Sequence, residues 1–346
     1  MTSLTRISIL TRKIIRYGIY AIIAIIITRT ALIGLIKIYR YFFPAPPIPP
    51  TVEFGVLPTL PFPKRDVPDL VYSFETPDGE LPEFDYLTKV YFMPKLATHL
   101  LSLESAKQKA SRLGYLPNGA EVTATVYKFP HEDVPSELQI SIATGVFAIS
   151  YDLNQDPTPL KKRPFPPEVA AEKARSILST KGIMPDDLSG PTISEPVKLR
   201  NKKIVRANSL SEAHFTKVSF FRRAYDDLPA MTPDYDIGNV WFIISGETQL
   251  EKQVIAAEFH HFPIDETKFA TYPIKSALQA WEDLLAGKGY VAKLGSVQDS
   301  VVIRNIYLGY YDPGVSANFY QPVVVFEGDN NFVAYVPAVT DEYYGP

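Results

Sequence analysis

The feature that most constrains this chain is a long apolar segment near its start. Residues 14–36 are almost all aliphatic, and the first acidic residue of the chain is Glu53. As a helix, these 23 residues would span about 35 Å, which exceeds the roughly 30 Å of a hydrocarbon core. A lone segment in lipid satisfies its backbone hydrogen bonds only as a helix, so this run predicts a membrane span.

The flanking charges give the predicted span an orientation. Four basic residues lie before it or in its first turn, at positions 6, 12, 13 and 16, two follow it, and aromatic residues at 39–43 suit a membrane interface. The positive-inside rule predicts a cytoplasmic tail at 1–13, a membrane helix with its interface at 14–43 in contact with the lipid bilayer, and an extracytoplasmic C-terminal domain. A cleaved signal peptide competes with this interpretation, but it requires a shorter apolar core and a small-residue cleavage site. Arg29, the charge inside the span, is where we expect pairing with a partner helix.

A proline-rich segment follows the predicted span. Residues 44–68 contain nine prolines in 25 positions. Such segments are extended and semi-rigid, with a rise of about 3.1 Å per residue. We therefore expect a spacer that holds the remaining chain away from the membrane.

Charge and cysteine content exclude several classes of function. Seven of the 35 Lys and Arg residues lie in 1–43, so the rest of the chain has 28 basic against 38 acidic residues, a net charge of −10. That charge argues against nucleic acid as a partner, because nucleic-acid binding requires a basic face. The chain has no cysteine, which excludes thiolate catalysis, iron–sulfur clusters, Cys-ligated zinc and disulfides.

Beyond residue 68 the hydrophobic pattern alternates between single helices and groups of strands. Amphipathic helices are predicted within residues 101–114, 166–182 and 273–289, each closed by a glycine. Strands follow each helix, and one continuous strand is predicted at Ser194–Ala207. Between the last two strands, Gly328-Asp329-Asn330-Asn331 is predicted to form a hairpin turn.

This alternation predicts an α+β fold. The expected architecture is a repeated unit in which one helix packs on an antiparallel sheet. Three copies are predicted, at 69–160, 161–268 and 269–346.

Three C-terminal segments carry a resemblance to a known family. They are SALQAWEDLLAGKGYV at 276–291, VVIRNIYLGYYDPG at 301–314 and YQPVVVFEG at 320–328. This pattern resembles the C-terminal part of YycI/YycH-type proteins and related PepSY-like modules. The resemblance implies a membrane anchor, an extracytoplasmic α+β ectodomain without enzymatic activity, and modulation of an adjacent membrane sensor kinase.

Two patterns point weakly to metal binding. In a strand, Glu258 and His260 would share a face, which makes them a two-ligand start for zinc, although zinc takes three or four protein ligands. The stretch from Asp152 to Asp156, and that from Asp234 to Asp236, resemble the start of a calcium loop but lack its later ligands. Turns in which Asp side chains bond nearby backbone are the favoured interpretation, and no metal or cofactor is predicted.

Catalytic motifs are missing from the sequence. There is no Gly-x-Ser-x-Gly elbow and no phosphate-binding glycine loop. Acidic pairs at 186–187, 226–227 and 282–283 are expected to be solvated rather than placed across a cleft.

The remaining candidates for a binding surface are tyrosines. Tyr311 and Tyr320 are predicted, with Arg29, to face a partner, since exposed sheet edges bind extended peptides. The competing interpretation is that Tyr310 and its neighbours pack inside the sheet.

Taken together, these features predict a non-enzymatic ectodomain that binds or regulates a membrane or envelope protein. Two alternatives stay open: an envelope hydrolase or metal-dependent enzyme with dispersed site residues, and a structural envelope scaffold.

Overall fold

The structure is a computed structural model that describes residues 17, 25–26, 28–30, 32–35, 49–95 and 102–345. The chain divides into two compact units, Met1–Pro49 and Pro50–Pro346. The described residues between 17 and 35 are helical, and Arg29 is one of them and is exposed. The predicted tail at 1–13 and most of the predicted membrane segment at 14–43 lie outside the described residues. Within the described part of the chain, no helix combines the length and apolar character of a membrane span.

The second unit is a mixed α+β structure that is rich in sheet. Its helices are α1 (Ser102–Leu113), α2 (Pro167–Thr180) and α3 (Ala277–Leu285). Its strands are β1 (Val71–Phe74), β2 (Leu87–Phe92), β3 (Ala120–Thr123), β4 (Val126–Pro130), β5 (Ser136–Ser141), β6 (Phe147–Tyr151), β7 (Thr192–Arg200), β8 (Lys203–Arg206), β9 (Phe215–Phe220), β10 (Ala230–Met231), β11 (Val240–Ser245), β12 (Val254–Phe259), β13 (Asp265–Pro273), β14 (Tyr290–Lys293), β15 (Ser300–Tyr311), β16 (Phe319–Gly328) and β17 (Phe332–Pro337).

Among the described residues, one sheet has nine antiparallel strands in the order β3-β4-β5-β6-β12-β11-β9-β7-β8. Small residues of α1 and α2, including Ala110 and Ala174, belong to one core cluster with Phe242 of β11. On this face, α1 lies against β5, and α2 lies against β7, β9 and β11. Ile243, the next residue of β11, points to the opposite face and belongs to a second cluster with Phe215. The continuously apolar β11 is therefore covered on both faces along most of its length.

The other sheet has eight strands, with β1-β15-β16-β17-β14 as its main path. β2 extends it by pairing with both β16 and β13, and β10 pairs with β15. β1 and β10 run parallel to β15, whereas the other pairs are antiparallel. Trp281 of α3 packs on one face against Phe326, and Val325 faces the other side, where Leu60 covers it.

The three predicted helices and the last hairpin are confirmed. The Ser276 side chain caps α3 by accepting a hydrogen bond from the Gln279 N–H, and Gln279 Oε1 accepts one from the Ser276 N–H. Asn330 and Asn331 take left-handed φ angles of 59° and 62° in the turn between β16 and β17. By contrast, the single strand predicted at Ser194–Ala207 is the hairpin β7–β8.

The strands are grouped differently from the three predicted repeats. β6 pairs with β12, so strands on both sides of the predicted boundary at residue 160 form one sheet. β1 and β2, which come from the first predicted unit, pair with β15 and β16 near the C-terminus. Long-range strand pairing therefore organises this fold, and local repeats do not.

From residue 50 onward, the proline-rich segment is not the extended spacer that was predicted, and residues 44–48 lie outside the described residues. The part from residue 50 belongs to the second unit. The Val52 N–H donates to the Thr271 carbonyl at 3.2 Å, and the Leu57 N–H donates to the Tyr343 carbonyl at 2.8 Å. Leu57 is 0% exposed. Because these residues fill the core, the predicted spacer at 44–68 is wrong for this part.

Candidate functional site

The two sheets meet at a cluster of charged and aromatic side chains that we call the sheet junction. Its members are Tyr91, Asp187, Arg222, Tyr225, His261, Tyr310, Asp312 and Tyr320. Arg222, Tyr225 and His261 follow the ends of β9 and β12 in the nine-stranded sheet. Tyr91, Tyr310 and Tyr320 belong to the eight-stranded sheet. The junction is therefore assembled where strands of one sheet end against the other.

A glycine allows Asp187 to reach the junction. A Cβ on Gly190 would lie 2.0 Å from the Arg222 carbonyl oxygen, so a larger residue would push the two segments apart. With glycine there, the Gly190 N–H donates to the Phe221 carbonyl at 3.2 Å and the Arg223 N–H donates to the Asp187 carbonyl at 2.8 Å. The loop after α2 is thereby held alongside the extension of β9.

Arg222 is the central charge of the junction and is 2% exposed. Its Nε donates to Asp312 Oδ2 at 2.8 Å, its Nη1 pairs with Asp187 Oδ2, and its Nη2 donates to the Phe262 carbonyl at 2.5 Å. The charge of the two carboxylates raises the pKa of Arg222, although burial acts in the opposite direction. One guanidinium thus joins carboxylates from two different parts of the chain.

Asp187 has three side-chain partners. His261 Nε2 lies 2.6 Å from Asp187 Oδ1, and the Tyr225 hydroxyl donates to Oδ2 at 3.2 Å, beside Arg222. Burial by itself would raise the pKa of Asp187, but the hydrogen bond from His261 and the charge of Arg222 outweigh it, and the pKa lies well below its usual 3.8. Asp187 is therefore an ionised acceptor that fixes its neighbours.

The aromatic half of the junction is formed by four buried tyrosines. The ring of Tyr225 stands edge-on to those of Tyr91 and Tyr320, with centroids 5.5 and 5.4 Å apart. Tyr310 and Tyr320 stack at 4.9 Å. Rings in these geometries interact favourably beyond the area they bury, so the junction is a fixed contact between the sheets.

A strained turn borders the junction on its solvent side. Tyr225 and Leu228 exchange both backbone hydrogen bonds, at 3.0 and 2.9 Å, around Asp226 and Asp227. These two residues have φ angles of 48° and 62°; aspartate is common at the first of these positions, but glycine is preferred at the second, where this chain has Asp227. Asp226 accepts hydrogen bonds from Lys89 Nζ and from the Tyr91 hydroxyl, each at 2.6 Å. Burial would raise the pKa of Asp226, but these bonds outweigh it and the pKa is lowered.

Beside this turn is a surface cleft of about 630 Å³, which we call the Asp226 cleft. Its apolar lining residues are Phe84, Leu87, Leu228, Ile306 and Leu308. Its acidic rim consists of Glu83, Asp85 and Asp226, with Lys89 as the one basic lining residue among those described. A cleft with an apolar floor and a few polar groups at its edge is typical of a binding site.

The structure corrects the predicted partner-facing tyrosines. Tyr311 and Tyr320 are both 0% exposed, so neither presents a surface to a partner. Tyr311 packs against Phe62, with centroids 4.7 Å apart, because the proline-rich segment covers that face of the sheet. Tyr310 is also 0% exposed, in agreement with the interpretation that it packs inside the sheet.

The residues of the predicted metal-binding patterns form contacts with nearby protein groups in the structure. Glu258 Oε2 lies 3.8 Å from His260 Nε2, and His260 Nδ1 lies 3.1 Å from the Gly314 carbonyl oxygen. No group of three His, Cys, Asp or Glu side chains that could hold a metal occurs among the described residues. Asp152 Oδ1 accepts a hydrogen bond from the Asn154 N–H at 2.9 Å, the predicted turn interaction.

The expectation that the acidic pairs are solvated is wrong for Asp187 and Asp283. Asp187 is held in the junction, and Asp283 is buried and binds Lys275 and Lys288 at 2.6 and 2.7 Å. Asp226 and Asp227 are exposed, as expected. The partners Arg222 and Asp312 were not predicted. They are separated by 90 residues, and no local spacing signals such a contact.

Comparisons with known proteins identify no family. No family model matches the chain, and no curated protein does either. Among solved structures, the chain is similar to an uncharacterized protein from Eubacterium rectale, with 12% sequence identity and a TM-score of 0.41. That match covers 75% of this chain and 85% of the other.

Proposed function

We propose that this chain is a single-pass membrane protein with a cytoplasmic N-terminus and an extracytoplasmic ectodomain that binds a membrane or envelope protein without catalysing a reaction. The apolar segment at 14–36 and its flanking charges support the anchor and its orientation. The resemblance to YycI/YycH-type proteins supports a membrane sensor kinase as the class of partner.

The observation that carries the binding role is the Asp226 cleft. Its floor is apolar, and Lys89 neutralises only one of its acidic groups, so Glu83 and Asp85 leave the rim negative. Charge complementarity favours a partner segment that combines an apolar residue with a basic one. Asp227, which follows Asp226 in the turn beside the cleft, holds a backbone conformation that favours glycine, and such strain concentrates at functional sites.

The sheet junction supports the same role because it holds the cleft in place. Lys89 and Tyr91 come from the eight-stranded sheet, whereas Asp226 follows the end of β9 in the nine-stranded sheet. Side chains fixed by several hydrogen bonds lose little entropy when a partner binds. A preformed cleft of this kind fits a docking surface.

Site-specific crosslinking in membranes tests the proposal. A photoreactive residue at Thr88, which lines the cleft, is expected to give an adduct with one membrane protein. The same residue at Val122, exposed on β3, is the matched control and is expected to give none. Glu83→Lys should reduce the Thr88 adduct, and Glu121→Lys should leave it unchanged. No adduct at Thr88, or the same adducts from both positions, would contradict the proposal.

A further inference from the structure

The β7–β8 hairpin is a basic element in an acidic domain. The sequence KLRNKKIVR at 198–206 contains five basic residues and no acidic one, although the chain beyond residue 43 carries a net charge of −10. This hairpin lies at one edge of the nine-stranded sheet. Its charge is therefore a local feature and does not follow from the composition of the domain.

The charges at the tip of the hairpin are not neutralised by the rest of the fold. Lys198 pairs with Glu212 at 2.7 Å, and Arg206 lies 3.4 Å from Glu195. Arg200, Lys202 and Lys203 are exposed and make no ion pair with any residue that the structure describes. Three unpaired cations thus face solvent together.

The turn itself is formed at a cost to the backbone. Asn201 and Lys202 have φ angles of 49° and 63°, as a two-residue hairpin turn requires. Asparagine suits the first position, but glycine is strongly preferred at the second, where this chain has Lys202. A lysine at a position that favours glycine indicates that its side chain has a role beyond forming the turn.

The outer edge of β8 is free to pair. The Ala207 N–H donates to the Pro196 carbonyl at 2.9 Å. In an antiparallel pair, every second residue directs its backbone N–H and C=O toward the partner strand, so this bond fixes which residues of β8 face β7. In this register, the backbone N–H and C=O groups of Ile204 and Arg206 point away from β7. No described strand pairs with that side of β8.

Lysines on an edge strand often prevent unwanted pairing, and Lys203 fits that role. Lys202 does not, because it lies in the turn, beyond the last pair of the ladder. Protection of the edge against pairing therefore does not explain why a lysine occupies position 202, where the turn favours glycine.

We propose that β8 binds an extended acidic segment of a partner protein by strand addition. The segment would pair with the outward backbone groups of Ile204 and Arg206, and its carboxylates would lie near Arg200, Lys202 and Lys203. An anionic lipid surface could neutralise these charges, but it offers no groups that pair regularly along a strand edge. This surface is separate from the Asp226 cleft, and either proposal can fail without the other.

The test uses the full chain in a zwitterionic detergent and a fluorescent 12-residue peptide of alternating Glu and Val. Lys202→Glu should weaken binding at least about five-fold, since it replaces one attraction by a repulsion. Lys202→Gly removes the charge while favouring the turn, so a smaller loss with an intact fold is expected. Lys64→Glu, which makes the same charge change at another exposed lysine, should leave binding unchanged.

A proline variant separates strand addition from simple charge attraction. Ile204→Pro removes an outward N–H but no ladder bond, so it should abolish peptide binding while circular dichroism stays the same. Binding that survives Ile204→Pro, or that is unaffected by Lys202→Glu, would overturn the proposal. Adsorption to phosphatidylglycerol vesicles that is lost in Lys202→Glu and kept in Ile204→Pro would also overturn it, in favour of a lipid surface.

Discussion

Arg222 Nε donates a 2.8 Å hydrogen bond to Asp312 Oδ2, and both side chains are almost fully buried. Arg222 follows β9 of the nine-stranded sheet, and Asp312 follows β15 of the eight-stranded sheet. This bond connects the two sheets, and the same guanidinium also donates to Asp187 in the loop after α2. Strong dependence of the fold on this contact is expected, because a buried charge without its partner is costly.

Asp312→Ala should lower the free energy of unfolding by about 3–5 kcal/mol, since it leaves Arg222 buried with one carboxylate fewer. Urea unfolding of the full chain in detergent measures the change. Arg223→Ala is the matched control: its pair with Glu266 is about half exposed, so at most about 1 kcal/mol should be lost. Equal losses in the two variants would contradict a special role for the buried pair.

The stability of the second unit, Pro50–Pro346, should decrease as the pH is lowered, in a window set by Asp187. Its pKa is lower in the folded protein than the usual 3.8, so its contribution is complete above that value and is lost as the pH falls below it. Urea midpoints at pH 7, 4 and 3 should therefore decline more steeply for the unsubstituted protein than for Asp187→Asn. Asp85→Asn, at the exposed rim of the cleft, should keep the original pH dependence. Parallel curves for Asp187→Asn and the unsubstituted protein would rule out this explanation.

Two tyrosines of the junction should respond differently to loss of the hydroxyl group. The Tyr310 hydroxyl donates to the Lys89 carbonyl at 2.9 Å, so Tyr310→Phe should cost about 1 kcal/mol. The Tyr320 hydroxyl is buried and has no hydrogen-bond partner among the described residues, so Tyr320→Phe should be neutral or stabilising by up to about 1 kcal/mol. Thermal unfolding of both variants side by side decides the point. A larger loss for Tyr320→Phe would indicate a bound partner, such as water, at that hydroxyl.

The first residues of the second unit should matter for its stability. Leu57→Ala should cost about 2–5 kcal/mol, because Leu57 is fully buried between β13 and the C-terminal segment. Val56, its neighbour, is 59% exposed, so Val56→Ala should change the stability by less than about 0.5 kcal/mol. If Leu57→Ala unfolds at the same urea concentration as Val56→Ala, this segment is not part of the core.

Several parts of the fold could be predicted because their signals are local. The helical spacing of apolar residues and the glycine at 287 predicted α3. The cap that Ser276 forms with Gln279 was not predicted, although it too is a local signal. The hairpin turn at Asn330 and Asn331 is equally local. The hairpin at Asn201 and Lys202 was missed because lysine is unusual at its second position.

The sequence alone determined the absence of thiol chemistry, the uneven distribution of charge and the approximate positions of the three helices. Only the tertiary structure decided which strands share a sheet, where the proline-rich segment packs, and that Asp187 and Asp312 meet Arg222 from 35 and 90 residues away. The physical reason is that helix caps, turns and composition depend on neighbouring residues. Strand pairing and buried ion pairs depend on contacts between distant segments, and those contacts leave no periodic trace in the chain.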